Sequence, residues 1–280
     1  MRRQRVAAKV YYDGTCFRGF QRQPHGETVE DFLLRALMDE GIVDDPKEAR
    51  WAHASRTDRG VSALGQVVAF TTDRDLALEI INRPMRINRR LLPKACMWAF
   101  SLVSPDFNPR RDALTRHYKY LAPYMGEDVQ SMKRAAHVLS GTHDYSFLGV
   151  SDEQSIRSMS IEVNVRDGFI EVDVKGPGFY RGLIRACVMA LLKVGRGELL
   201  IKELEYALRE RKLIKGLGLA PPEGLILWNV TYKNVVFKVD RVTLLRVIRI
   251  LTDKVYKFYT LGKVYDVMRR AFENSISSCT

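Results

Sequence analysis

"ASRTDRGVSALGQVVAF", residues 54–70, sets Arg56 and Arg59 on either side of Asp58, follows them with Gly60 and Gly65, and runs into an apolar β-rich stretch. The second half reads as a strand entered from a glycine-bounded turn. The first half carries the chemistry. Asp58 is the side chain of "SRTDRG" suited to act as nucleophile or base near neutral pH. A neighbouring guanidinium favours the charged form of a carboxylate, whereas burial without a partner opposes it. Flanking arginines therefore permit an anionic aspartate in a dry pocket, where it can attack carbon or offset positive charge. On this segment alone the plainer alternative is favoured: an Asp-x-Gly is more often a turn residue making a local hydrogen bond.

Working outward, "RVAAKVYYDG" has strand composition and ends at the turn dipeptide Asp13-Gly14. In "ETVEDFLLRALMDEG", Thr28 is an N-cap with Asp31 three residues on. Val29, Phe32, Leu33, Ala36 and Leu37 share one helical face, and Gly41 sits where a C-terminal cap belongs. "CMWAFSLV" and "HYKYLAPY" read as further strands, and "SIEVNVRDGFIEVDVKG" as a hairpin turning at Asp167-Gly168. "FYRGLIRACVMALLKVG" reads as a largely buried helix and "LIKELEYALRERK" as a more exposed one. The strand-and-helix set recurs on either side of residues 103–109. The expectation is an α+β protein of two α/β subdomains, residues 1–104 and 105–233, whose mostly antiparallel sheets meet at a central basic cleft. Two basic helix-prone segments, "RVTLLRVIRILTDKVYKF" and "KVYDVMRRAFENS", form an extension over 234–280.

The 280 residues, 46% of them hydrophobic, are enough for a genuine core. A net charge of +12, from 45 basic and 33 acidic residues, favours a polyanionic partner. Cys16, Cys96, Cys187 and Cys279 are far apart and suggest neither a zinc site nor a disulfide framework, and His53, His117 and His143 lack metal-ligand spacing. The longest apolar stretch is interrupted by Arg185, so no membrane span is read, and a reducing cytoplasm fits the cysteines. An arginine inside an apolar helix is costly unless paired, so Arg185 calls for a buried carboxylate partner.

Eight blocks in order resemble the TruA-type tRNA pseudouridine synthases across about residues 6–230: "YYDGTCFRGFQRQP", "TVEDFLLRAL", "SRTDRGVSALGQVVAF", "INRRLLP", "DFNPRRDALTRHYKY", "GTHDYSFLG", "GPGFYRGLIRACVMALLKVGRGE" and "LAPPEGLIL". The resemblance implies Asp58 as the catalytic aspartate and Arg56 as the arginine that enters the RNA to help extrude the base. Tyr118 would stack on the uracil and receive or relay the C5 proton, and Arg185 would pair with Asp58. Leu227 would line the pocket, with Arg59 and Arg116 as further substrate contacts. It further implies a homodimer, tRNA as partner and substrate, and uridine isomerisation on the 3′ side of the anticodon stem-loop. Breaking C1′–N1, turning the base and joining C5 to C1′ needs a carboxylate and a flat grip on the uracil, with no metal or cofactor. Taking the base out of the stack suits arginine and aromatic side chains.

Several positions depart from the family pattern. Ser55 stands for the usual Gly, Arg59 for Ala, Ser62 for His, Asn108 and Pro109 for His and Ala, and Arg181 for a frequent His. No counterpart is placed for the extension. These departures keep open a synthase acting at several sites on tRNA or other RNAs. A tRNA-binding or folding factor with a decayed site is the rival from another class.

Overall fold

The computed structural model describes residues 3–150 and 155–277. The chain runs β1 (Arg3–Tyr12), α1 (Val29–Asp39), β2 (Ala52–His53), β3 (Ser62–Asp73), α2 (Arg74–Asn82), α3 (Met85–Leu91) and β4 (Ala95–Val103). It continues through β5 (Ala113–Pro123), α4 (Val129–Leu139), β6 (Gly141–Asp144), β7 (Ile156–Arg166), β8 (Phe169–Gly176), α5 (Leu183–Gly195) and α6 (Ile201–Glu210). β9 (Leu225–Tyr232), β10 (Lys238–Val239) and α7 (Arg241–Ser277) complete it.

Local signals explain several elements. Thr28 Oγ1 accepts the Asp31 N–H, and the same hydroxyl donates to the Asp31 carboxylate at 2.7 Å, so α1 starts where the capping residues place it. Such a cap is worth about 1 kcal/mol against alanine. Val29, Leu33, Ala36 and Leu37 are buried as the helical period requires, and Phe32 packs at the edge of the core. The β7–β8 hairpin pairs Arg166 with Phe169 across Asp167 and Gly168, both at positive φ.

The sheet departs from the sequence reading. The strands join in one ten-stranded sheet ordered β10-β4-β1-β3-β9-β5-β8-β7-β6, with β2 beside β3, in place of two sheets that meet. It is antiparallel except at one junction, where β9 returns to lie parallel to β3 and pairs Ser62 with Ile226 and Ala63 with Leu227. The backbones press together there: a Cβ on Gly65 would lie 2.5 Å from the Trp228 carbonyl oxygen and 2.7 Å from Asn229 Cα. Glycine at 65 is therefore what lets β9 close against β3. Helices α2 and α3 pack on β4, α4 packs on β7 and α5 on α4. Tyr12, Phe20, Phe70, Phe100, Tyr145 and Phe147 are fully buried.

Met1–Val239 and Asp240–Thr280 form two compact units. The 104/105 division expected from sequence thus lies within the first unit, whose sheet passes through both halves. In the second unit the two expected helical segments are one helix, α7, continuing through Gly262.

Candidate active site

The 54–62 loop is held from both sides before any reactive group is considered. The Phe20 N–H donates to the Thr57 carbonyl at 3.1 Å, and the Thr57 hydroxyl is hydrogen-bonded to Tyr12 Oη at 2.7 Å. Gln66, fully buried on β3, accepts the Ser55 N–H and donates to the Ser55 carbonyl at 2.8 Å. The Val61 N–H donates to the Asp58 carbonyl, and Gly60 takes φ +86°, closing a tight turn. The turn reading and the catalytic reading are thus compatible. The backbone of Asp58 makes the turn, and its carboxylate is left to face elsewhere.

That carboxylate meets two guanidinium groups. Arg185, in the first turn of α5, donates from Nη1 to Asp58 Oδ2 at 3.0 Å and from Nε to the Ala220 carbonyl at 2.7 Å. Arg181, just before α5, donates from Nε to Asp58 Oδ1 at 3.2 Å. The two contacts differ in kind: the Arg185 side chain is 16% exposed, that of Arg181 90%, and that of Asp58 20%. The buried charge expected inside the apolar helix has found the partner that was expected for it.

Tyr118 is buried on β5, with its phenol 2.6 Å from the Ser55 hydroxyl and its ring edge-on to Phe179 at 5.6 Å. Burial pushes the phenol above its ordinary value against the partial opposition of the Ser55 hydrogen bond and the Arg116 charge, so it keeps its proton. Arg116 is itself buried. Its guanidinium donates to the carbonyls of Ala54 (3.1 and 2.8 Å), Arg110 (2.7 Å) and Pro177, tying the loop to β5. These contacts turn Arg116 donors to backbone carbonyls, and the residue also lines the groove, where an RNA contact was expected of it. Leu227 is also placed otherwise: it is fully buried between its sheet partners Ala63 and Tyr118, and Leu225, two residues earlier, lines the groove.

Around Asp58 and Tyr118 opens a groove of roughly 870 Å³ with a basic rim that includes Arg18, Arg56, Arg59, Arg110, Arg157 and Arg181. Arg56 and Arg59 are exposed, and their side chains make no ion pair among the described residues. Arg157 stacks over the Tyr180 ring at 5.2 Å. The departures Ser62 and Asn108 have structural work: Ser62 Oγ accepts the Gly14 N–H, and Asn108 Oδ1 accepts the Arg110 and Arg111 N–H groups ahead of β5. Sequence reasoning missed Ser55, Phe179, Leu225 and Arg181 as members of the site. Ser55 and Arg181 had been visible only as departures from the pattern.

A clamped carboxylate beside a buried phenol, inside a groove rimmed by exposed arginines, is suited to covalent or acid–base work on a polyanionic substrate. Residues 135–233 match the family model described as tRNA pseudouridine synthase. Among relatives named tRNA pseudouridine synthase A, that of Pyrococcus furiosus is 37% identical over 265 residues, 94% of this chain and 96% of that protein. The Thermococcus sibiricus protein is 39% identical over 267 residues (94% and 97%), and the Methanosarcina mazei protein 41% over 236 (81% and 84%). The chain belongs to the tRNA pseudouridine synthase A family. Because the P. furiosus match leaves only 6% of the chain outside it, most of the 234–280 extension, for which sequence reading placed no counterpart, lies within the shared region.

Proposed function

We propose that this enzyme isomerises uridine to pseudouridine in tRNA at the Asp58 groove, on the 3′ side of the anticodon stem-loop. Asp58 supplies the negative charge at the ribose C1′ as the bond to N1 breaks. The freed uracil turns within the groove and forms the C5–C1′ bond, losing the C5 proton and gaining one at N1, so that the product is an isomer of the substrate. Tyr118, protonated and hydrogen-bonded to Ser55, can pass on a proton only as it receives one; it therefore relays the C5 proton and is not a standing base. Arg56 and Arg59 act on the RNA from the rim. A cytoplasmic homodimer with tRNA touching both subunits completes the reading, which rests on family resemblance.

The observation that carries this is the Arg185–Asp58 pair. It clamps the one carboxylate that the family pattern marks, in a groove with exposed arginines at its edge. Mapping pseudouridine in tRNA transcripts incubated with the wild type and with Asp58→Ala tests it. The expected result is modification confined to the 3′ side of the anticodon stem-loop, absent with Asp58→Ala. Modification at additional positions would favour the multisite reading suggested by Arg59, Asn108 and Arg181. Binding by the wild type with no modification anywhere would favour the binding factor.

A further inference from the structure

Both carboxylate oxygens of Asp58 are covered, and the two covers are unequal. Oδ2 is held by Arg185, which is mostly buried and anchored a second time on the Ala220 carbonyl. Oδ1 is held by Arg181, whose side chain is 90% exposed and has no other partner among the described residues. An exposed, singly bonded ion pair contributes little and is easily exchanged for a better anion. Phosphate is a better anion for arginine, since it can accept two parallel N–H bonds. Arg181 Nη1 and Nη2 remain available for that contact, at the mouth of the cavity that Asp58, Arg59 and Arg185 also line.

We propose that Arg181 is a displaceable cap on Asp58. In the free enzyme its guanidinium covers Oδ1. When tRNA enters, Arg181 releases Asp58 and moves to a phosphate flanking the extruded nucleotide, which uncovers Oδ1 toward the ribose while Arg185 keeps Oδ2 fixed. The exchange makes and breaks only ionic hydrogen bonds. It couples recognition of the RNA backbone to exposure of the carboxylate, so Arg181 is a positioning residue acting through Asp58. The uncovering of a reactive oxygen rests on the functional reading above; the exchange of partners does not.

The test uses full-length protein and a tRNA transcript, with affinity measured for wild type, Asp58→Asn, Arg181→Ala and the double variant, over a series of salt concentrations. If Arg181 must leave Asp58 to bind phosphate, Asp58→Asn removes the competitor and tightens tRNA binding by about threefold to fivefold. That gain shrinks below about twofold in the Arg181→Ala background. Arg181→Ala alone lowers the slope of log affinity against log salt by about 0.7–0.9, one phosphate contact, and Arg181→Lys restores most of it. If Arg181 stays on Asp58 in the complex, its removal leaves a bare carboxylate near RNA, and the Asp58→Asn gain is then equal or larger in the Arg181→Ala background. That result, or an unchanged salt slope, would overturn the cap. A wild type that modifies no tRNA while showing the expected binding pattern would remove the catalytic reading and leave the cap standing.

Discussion

The floor and the rim of the groove are both rich in arginine and use it in opposite ways. On the floor, Arg116 is buried and Arg185 mostly so, and they spend their donors on Asp58 and on the carbonyls of Ala54, Arg110, Pro177 and Ala220. At the rim, Arg56 and Arg59 are exposed and without an ion-pair partner among the described residues, and Arg181 has one exposed contact. A buried charge must be satisfied within the protein, so floor arginines fix geometry. An exposed one is satisfied by water until an anion arrives, so rim arginines are suited to anion binding, a contribution that would fall with salt. The same residue type therefore answers to two different measurements.

The largest break in that contrast should come from Arg185→Met, which keeps the volume of the α5 side chain and removes the anchor of Asp58. The single-turnover rate at saturating tRNA is expected to fall by about 10³-fold, with the salt dependence of binding unchanged. A changed salt slope would move Arg185 to the rim class. Tyr118→Phe should cost about 10²-fold in the same rate, within the range for a lost proton-transfer group. Because burial holds the Tyr118 phenol above its ordinary value near 10, its neutral form persists as pH rises. The wild-type rate should therefore not decline between about pH 8 and 9.5. A decline that vanishes in Tyr118→Phe would show that the phenol ionises within the working range. The smallest effect should come from Gly65→Ala, which touches neither class of arginine. Its Cβ would press on the Trp228 and Asn229 backbone at the β3–β9 junction, an overpacking of about 2 kcal/mol. The melting temperature should drop by about 5 °C for a chain of this size. The rate should fall several-fold, since Asp58 and Arg185 lie on opposite sides of that junction. An unchanged melting temperature would show that the junction yields freely.

How much of this was legible in the sequence depended on the range of the signal. The α1 cap at Thr28 and the Asp167-Gly168 hairpin are local, so their residues state them directly. The Arg185–Asp58 pair is non-local, its members 127 positions apart, yet it was legible because a charge inside an apolar helix demands a partner and the family resemblance marks Asp58 as that partner. The β3–β9 junction left no such trace. Two residue pairs and one glycine carry it, and so one sheet was read as two. Leu225 and Leu227 share a face by strand alternation, which cannot say which of them reaches the groove and which ends in the core. Arg116 shares its face with Tyr118 by the same rule, but only the fold shows that carbonyls are waiting for it. Arg181 was least legible as a site residue: an exposed side chain has no packing demand, and its role is set entirely by where the α5 turn places it.

The central claim is that Asp58 works on uridine while the rim holds tRNA. The most direct test is tritium release from [5-³H]uridine-labelled tRNA by the wild type and by Asp58→Asn, at tRNA occupancies matched by a parallel binding measurement. Release by the wild type and none by Asp58→Asn, with tRNA held at least as tightly, is the predicted result. Equal release by the two proteins would place the chemistry on another residue and contradict the account.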